Sequence, residues 1–355
     1  MVNPGTVSEK MANMSILCAC LVCFIHVEFQ PAGYGWQWWG AQMLTRFGIT
    51  RMAVPFFFLA SGYFLAGHIG ETGWYKSAIK KRLVTLGVPL LFWNCAYMAF
   101  LWGMHKIAIA IGYTPHVQLP PLDSLKDVIA AFGLDPIRGC ACMVLWYLRC
   151  LFIFVVLSPA VAWVARKDAR WWVPIGFLTV GAIMCQLKEY SFMLTLWKHQ
   201  FCLEGLFCFA IGIALRQQSP KVHFKIWQGA MLLVAGLGCF VVRTALSRYG
   251  FEVLAYWAEW AGIVLLMLGS WILMPACRAP DALRKNAFPV YLLHMFVAIA
   301  LAGVLGALGL RGVANNESFG FYIVRSMGVF AGAVGAAQIF RKVAPRLSSF
   351  AFGGR

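Results

Sequence analysis

Met14-Ser-Ile-Leu-Cys-Ala-Cys-Leu-Val-Cys-Phe-Ile-His26 contains no charge before its closing imidazole. Read as a helix it has no polar face, so lipid or other helices must surround it on every side. Runs of the same kind recur along the chain, near 48–67, 84–104, 143–165, 171–187, 199–215, 227–246, 256–275, 288–309 and 320–340. With 14–30 as the first, each is close to the ~20 residues that a helix needs to cross a ~30 Å hydrocarbon core. The 355 residues are 61% hydrophobic and 12% charged, against roughly half and about a quarter in soluble domains. An ordinary soluble enzyme is excluded. The pattern predicts an all-α integral membrane protein, a single domain over 1–355 built as a bundle of about ten transmembrane helices.

Charge gives the expected orientation. Thirty Lys and Arg against 13 Asp and Glu leave a net +17, but the basic residues stand in short clusters between apolar runs, which fits positive-inside topology and not nucleic acid. With both termini cytoplasmic, inward segments hold 18 of the 30 basic residues. Nothing in the pattern specifies an oligomeric state. The segment 105–142, with Pro115, Pro120, Pro121 and Pro136, is the only loop long enough to fold outside the membrane, and a short amphipathic helix is expected near 122–133. Most of the 12 cysteines lie inside apolar runs, where a thiol packs as a small hydrophobe. No metal-ligand spacing accompanies them, so no metal is expected. The first run lacks a small-residue cleavage site and reads as a retained span, not a signal peptide.

Ionisable residues at bilayer depth are candidate functional sites. His26 lies 12 residues beyond Met14, ~18 Å along a helix axis, where an imidazole can take and return a proton near neutrality. The competing structural reading is a histidine held by a backbone carbonyl at the outer interface. In Ile49-Thr-Arg51-Met-Ala-Val-Pro55-Phe-Phe-Phe-Leu-Ala-Ser61-Gly62-Tyr63, Pro55 interrupts the helix before a small Ser-Gly step. That step reads as a cavity wall or as close packing of small residues. Lys80-Lys81-Arg82, following Lys76, can hold an anionic ligand at the inward face or can serve topology and lipid headgroups alone. Arg149, Glu204, Glu259, His294 and Arg325 are further charges or imidazoles within apolar runs, for which ion pairing is at least as good a reading as catalysis.

These segments, in this order, resemble the acyltransferase family 3 membrane proteins. The resemblance runs through His26, Val54-Pro-Phe-Phe-Phe-Leu-Ala-Ser-Gly-Tyr63, Lys80-Lys-Arg82 to Pro89, Leu145-Trp-Tyr-Leu148, Phe209-Ala-Ile-Gly212 and Phe288-Pro-Val-Tyr-Leu-Leu-His294. It implies a ten-span bundle in a bacterial inner membrane, and acyl-CoA, acetyl-CoA above all, as cytoplasmic donor. It also implies a hydroxyl of a cell-surface carbohydrate or small molecule as acceptor, and His26 as the catalytic residue. Relatives often carry an arginine 11 residues before that histidine. This chain has Ser15 there, on nearly the same helix face and ~16.5 Å away, and Lys10 or the Lys80–Arg82 cluster is the expected substitute charge. A thioester donor needs a base, an oxyanion contact and exclusion of water. His26 is assigned as base or transient acyl carrier, Ser61, Arg51 and Arg149 as oxyanion or acceptor contacts, and Lys80, Lys81 and Arg82 as contacts to the CoA phosphates. A transporter, or a non-catalytic relative serving polysaccharide assembly, is the alternative.

Overall fold

The computed structural model describes residues 4–27, 40, 48–110, 122–132, 141–165, 202–218, 224–310 and 318–354, and among these it is helical without a β-strand. Among the described residues eight helical stretches are long and apolar enough to cross a membrane. They contain α1 (Pro4–His26), α2 (Ala53–Ala66) with the one-turn 3₁₀ helix Ile49–Met52 before it, and α3 (Trp74–Arg82) running into α4 (Val88–Ala110). A seven-residue helix, α5 (Leu125–Ala131), precedes α6 (Trp146–Ala165), and α7 (Leu203–Gln218) is a ninth apolar helix, 16 residues long, at the run expected for 199–215. Then come α8 (Ile226–Arg248), α9 (Glu252–Leu273), the single turn α10 (Asp281–Arg284), α11 (Ala287–Ala307), α12 (Phe319–Val343) and α13 (Pro345–Ala351). The expected span 171–187 lies outside the described residues.

Two boundaries differ from the sequence reading because polar residues find partners. α1 begins at Pro4, ten residues earlier than expected, with Glu9 reaching Arg284 at 3.3 Å and Lys10 donating to the Trp271 carbonyl at 3.1 Å. α4 continues through His105 and Lys106 to Ala110, so the loop starts later than 105. There the Lys106 ammonium folds back over the Trp102 ring at 5.7 Å, which lets a charged residue extend an apolar helix. The short helix expected near 122–133 is α5, and its Ser124 N-cap accepts from the Asp127 N–H at 3.2 Å.

Glycines set which helices touch. A Cβ on Gly62 would stand 2.0 Å from the Phe209 carbonyl oxygen, and one on Gly212 equally close to the Leu59 carbonyl, so α2 and α7 cross backbone to backbone. α8 and α9 meet in the same way at Gly229 with Gly269 and at Gly236 with Gly262. α1 packs against α2, α11 and α12, and the C-terminal chain tucks inward. Phe352 is fully buried and stacks on Trp93 with centroids 5.9 Å apart, while the Trp93 indole donates to the Ala351 carbonyl at 2.9 Å.

Two prolines shape the walls near the site. Pro55 falls in the first turn of α2, directly after the 3₁₀ turn. It therefore withholds only the bond to the Arg51 carbonyl, at a junction between helix types, and does not break the span midway as the sequence reading expects. Pro89, lacking an N–H for the Thr85 carbonyl, follows a π-helical turn at Leu83–Gly87. The C-terminal Gly353, at φ +66°, lies against the Thr85 backbone so closely that a Cβ would be 2.7 Å from its Cα.

A basic cavity leading to a histidine pair

One end of the bundle collects Arg82, Arg284, Lys285 and Arg341 around a cavity of about 640 Å³. Among the described residues no carboxylate lines it. Serines 8, 15 and 61 and the hydroxyl-bearing Tyr147 and Tyr291 add polar contacts, and Phe57, Phe64 and Phe288 supply apolar wall. The single turn of α10 and the Asn286 that follows it aim the cations. Arg284 is steered by Glu9, and Arg341 donates to the Asn286 carboxamide and, at 2.8 Å, to the Lys285 carbonyl. Asp281 takes Arg278 at 2.9 Å and Lys285 at 3.5 Å. Its hydrogen bond and charge contact with Arg278 hold its carboxyl below the ordinary value, so it stays ionised at neutral pH. A concave site with four cations and aromatic walls suits an anion carrying several phosphates and an apolar arm.

α1 connects that cavity to His26. Ser8, Met11, Ala12 and Ser15 form the cavity side of the helix, and steps of three and four residues carry the same stripe through Ala19 and Val22 to His26. The Asn13 side chain donates to the Pro275 and Cys277 carbonyls, each at 2.9 Å, which sets Asn13 level with the end of α9. Thirteen residues further on, His26 is ~20 Å deeper, near the middle of the ~33 Å that 22-residue α9 spans. The helix thus ends inside the bundle. The buried Tyr322 hydroxyl of α12 donates to the Phe24 carbonyl near that end at 2.8 Å.

The half-buried His26 ring meets His294 of α11, with centroids 5.0 Å apart and planes at 44°. His294 is fully buried, and its Nδ1 lies 2.7 Å from the Tyr291 carbonyl oxygen. Tyr291 also lines the basic cavity, its hydroxyl donates to the Val144 carbonyl, and its ring centroid is 6.2 Å from that of His294. Tyr291 therefore touches both the cavity and the neighbourhood of His294. Phe58 and Tyr147 continue this aromatic wall toward α6, at 4.7 Å.

The residues assigned from sequence divide among three places. Ser61 and Arg82 line the cavity, whereas Lys80 and Lys81 are exposed on α3 and do not. Lys10 turns to the Trp271 carbonyl, so the Ser15 position faces the cavity beside Met11 and Ala12 with no α1 cation there. Arg149 is half-buried on the first turn of α6 and is not part of the lining. Arg51 is drawn into a separate cluster: its guanidinium bonds to Glu259, whose other carboxylate oxygen lies 3.3 Å from Arg243, while Tyr256 donates to nearby Glu204 at 2.7 Å. Two cations and two carboxylates neutralise one another there, with the Glu259 carboxylate buried and the Arg51 side chain 44% exposed. The sequence reading of Ser61-Gly62 as wall or as packing resolves residue by residue, since Ser61 faces the cavity and Gly62 faces Phe209.

In sequence Arg284, Lys285 and Arg341 read only as topology charges. Their signal is present, because they flank the apolar runs that carry Phe288–His294 and the last span, but nothing in one dimension brings segments so far apart to one cavity. Among the described residues no three His, Cys, Asp or Glu side chains converge as a metal site requires.

A family model described as an acyltransferase domain matches residues 13–338. No curated protein and no solved structure matches the chain.

Proposed function

Because the chain belongs to acyltransferase family 3, we propose that it transfers an acyl group, acetyl first among the candidates, from acyl-CoA to a hydroxyl of a cell-surface carbohydrate or related small acceptor. Its seat is the bacterial inner membrane, with the basic end of the bundle toward the cytoplasm. The observation that carries this reading is the four-cation cavity whose α1 wall runs on to His26. The donor's phosphates lie among Arg82, Arg284, Lys285 and Arg341, and its pantetheine arm follows the Ser15 stripe past Tyr291. His26 takes the proton of the acceptor hydroxyl as that oxygen attacks the thioester carbonyl, and the proton then goes to the departing CoA thiolate. Arg82, with its neighbours, supplies the charge that relatives place at the Ser15 position.

The test is transfer of label from radiolabelled acetyl-CoA to host glycans in membranes holding the parent, Arg82→Glu or Lys285→Glu protein. The parent should label glycans, and each reversal should raise the acetyl-CoA concentration needed for half-maximal transfer by tenfold or more without lowering protein abundance. Donor dependence unchanged in both variants would remove the cavity as the donor site. Acetyl-CoA binding by the parent with no label transferred would instead mark a non-catalytic relative, the reading that Ser15 favours.

A further inference from the structure

His294 is 0% exposed, and its Nδ1 is 2.7 Å from the Tyr291 carbonyl oxygen and 3.3 Å from that of Val290. A carbonyl oxygen only accepts, so Nδ1 carries the ring hydrogen and Nε2 is left with its lone pair. Among the described residues, that Nε2 is buried without a hydrogen-bond partner, a costly state for a polar atom unless something else uses it. The tautomer is fixed by α11 itself, since the acceptor is the carbonyl one turn back in the same helix. The nearest imidazole is His26, 5.0 Å away between ring centres. At that separation, nitrogens of the two rings that point along the line of centres come within hydrogen-bond reach. The two ring planes stand at 44°, so the pairing requires the half-buried His26 ring to present a nitrogen along that line.

We infer that His294 is a positioning residue for His26: its fixed Nε2 lone pair accepts the hydrogen of one His26 nitrogen, which leaves the other His26 nitrogen bare and directed at the acceptor hydroxyl. This rests on the proposed role of His26 as base. His294 takes no proton in the reaction. It keeps the hydrogen on Nδ1 throughout, and the proton that His26 removes from the acceptor goes to the CoA thiolate. The arrangement does with a backbone-locked histidine what a carboxylate does for a catalytic imidazole elsewhere, setting tautomer and orientation. A neutral partner suits a bundle interior, where an unpaired carboxylate would be expensive.

The experiment compares the parent with His294→Leu and His294→Gln, measuring kcat and the acetyl-CoA KM for glycan labelling. Leucine fills space but accepts nothing, so kcat should fall tenfold or more with the donor KM within twofold of the parent. Glutamine can accept through Oε1 and should restore kcat to within about threefold. Parent-like kcat in the leucine variant, or a glutamine variant as impaired as leucine, overturns the inference. So does a loss that appears in the donor KM. A second measurement does not depend on the leucine variant being made: the ¹⁵N histidine spectrum of the parent protein, with His294 identified by its disappearance in His294→Gln. A protonated Nδ1 and a bare Nε2 that shifts when His26 is replaced by alanine support the pairing, and a protonated Nε2 overturns it. No transfer by the parent itself would refute the proposed function, a result distinct from any of these.

Discussion

Glutamine in place of His26 keeps a hydrogen-bonding side chain at the end of α1 but cannot take up a proton, so it separates chemistry from structure at that residue. The ring stands in the bundle's interior beside His294 and at the end of the stripe that lines the basic cavity. His26→Gln should be made normally and bind acetyl-CoA as the parent does, while glycan labelling falls at least the ~10²-fold expected for loss of a general base. Labelling near the parent rate would make His26 a structural histidine. The same residue shows what was legible early. Its imidazole in an apolar run marked it from the sequence, because such a group is costly in lipid. His294 carried the same mark, yet nothing in the linear spacing paired the two, as 268 positions separate them and only helix packing brings the rings to 5.0 Å.

Between elements, close approach and charge balance fix the geometry. Gly62→Ala places a methyl 2.0 Å from a backbone oxygen of α7, which no side-chain rotation can relieve. The expected loss is at the upper end of overpacking effects, ~3 kcal/mol, read as a lower thermal midpoint of the detergent-solubilised protein. Gly238→Ala, where nothing lies within 4 Å, should leave the midpoint unchanged and serves as the comparison. Glu259→Gln strips the carboxylate from between Arg51 and Arg243, and because both arginine side chains keep part of their surface exposed the cost is that of a partly screened pair, about 1 kcal/mol. Its midpoint should therefore fall while the acetyl-CoA KM holds, because the cluster lies apart from the cavity lining. A raised KM with an unchanged midpoint would instead tie the cluster to donor binding.

For the molecule as a whole, orientation decides which substrate meets which end. Lys76, Leu125 and Phe350 are all exposed, so single cysteines at these positions in a background without other reactive thiols report sidedness to an impermeant reagent. With the basic end cytoplasmic, position 125 should react from outside in intact cells, and positions 76 and 350 only after permeabilisation. The reverse pattern would put the four-cation cavity on the outer face, away from the CoA pool.

The sequence by itself determined that the chain is helical with many runs apolar enough to cross a membrane, and that imidazoles such as His26 and His294 stand within those runs. Hydrophobic length and the cost of ionisable groups in hydrocarbon act locally along the chain, so one dimension contains them. Only the tertiary structure decided that Arg82, Arg284, Lys285 and Arg341 share a cavity, that Arg51 belongs to Glu259, and that Lys80 and Lys81 stand outside. A basic residue near a helix end looks the same in sequence whether it serves topology, a counter-ion or a ligand. The difference is made by which helices lie beside it, and that is set by backbone contacts such as Gly62 on Phe209 and by the tilt and rotation they impose.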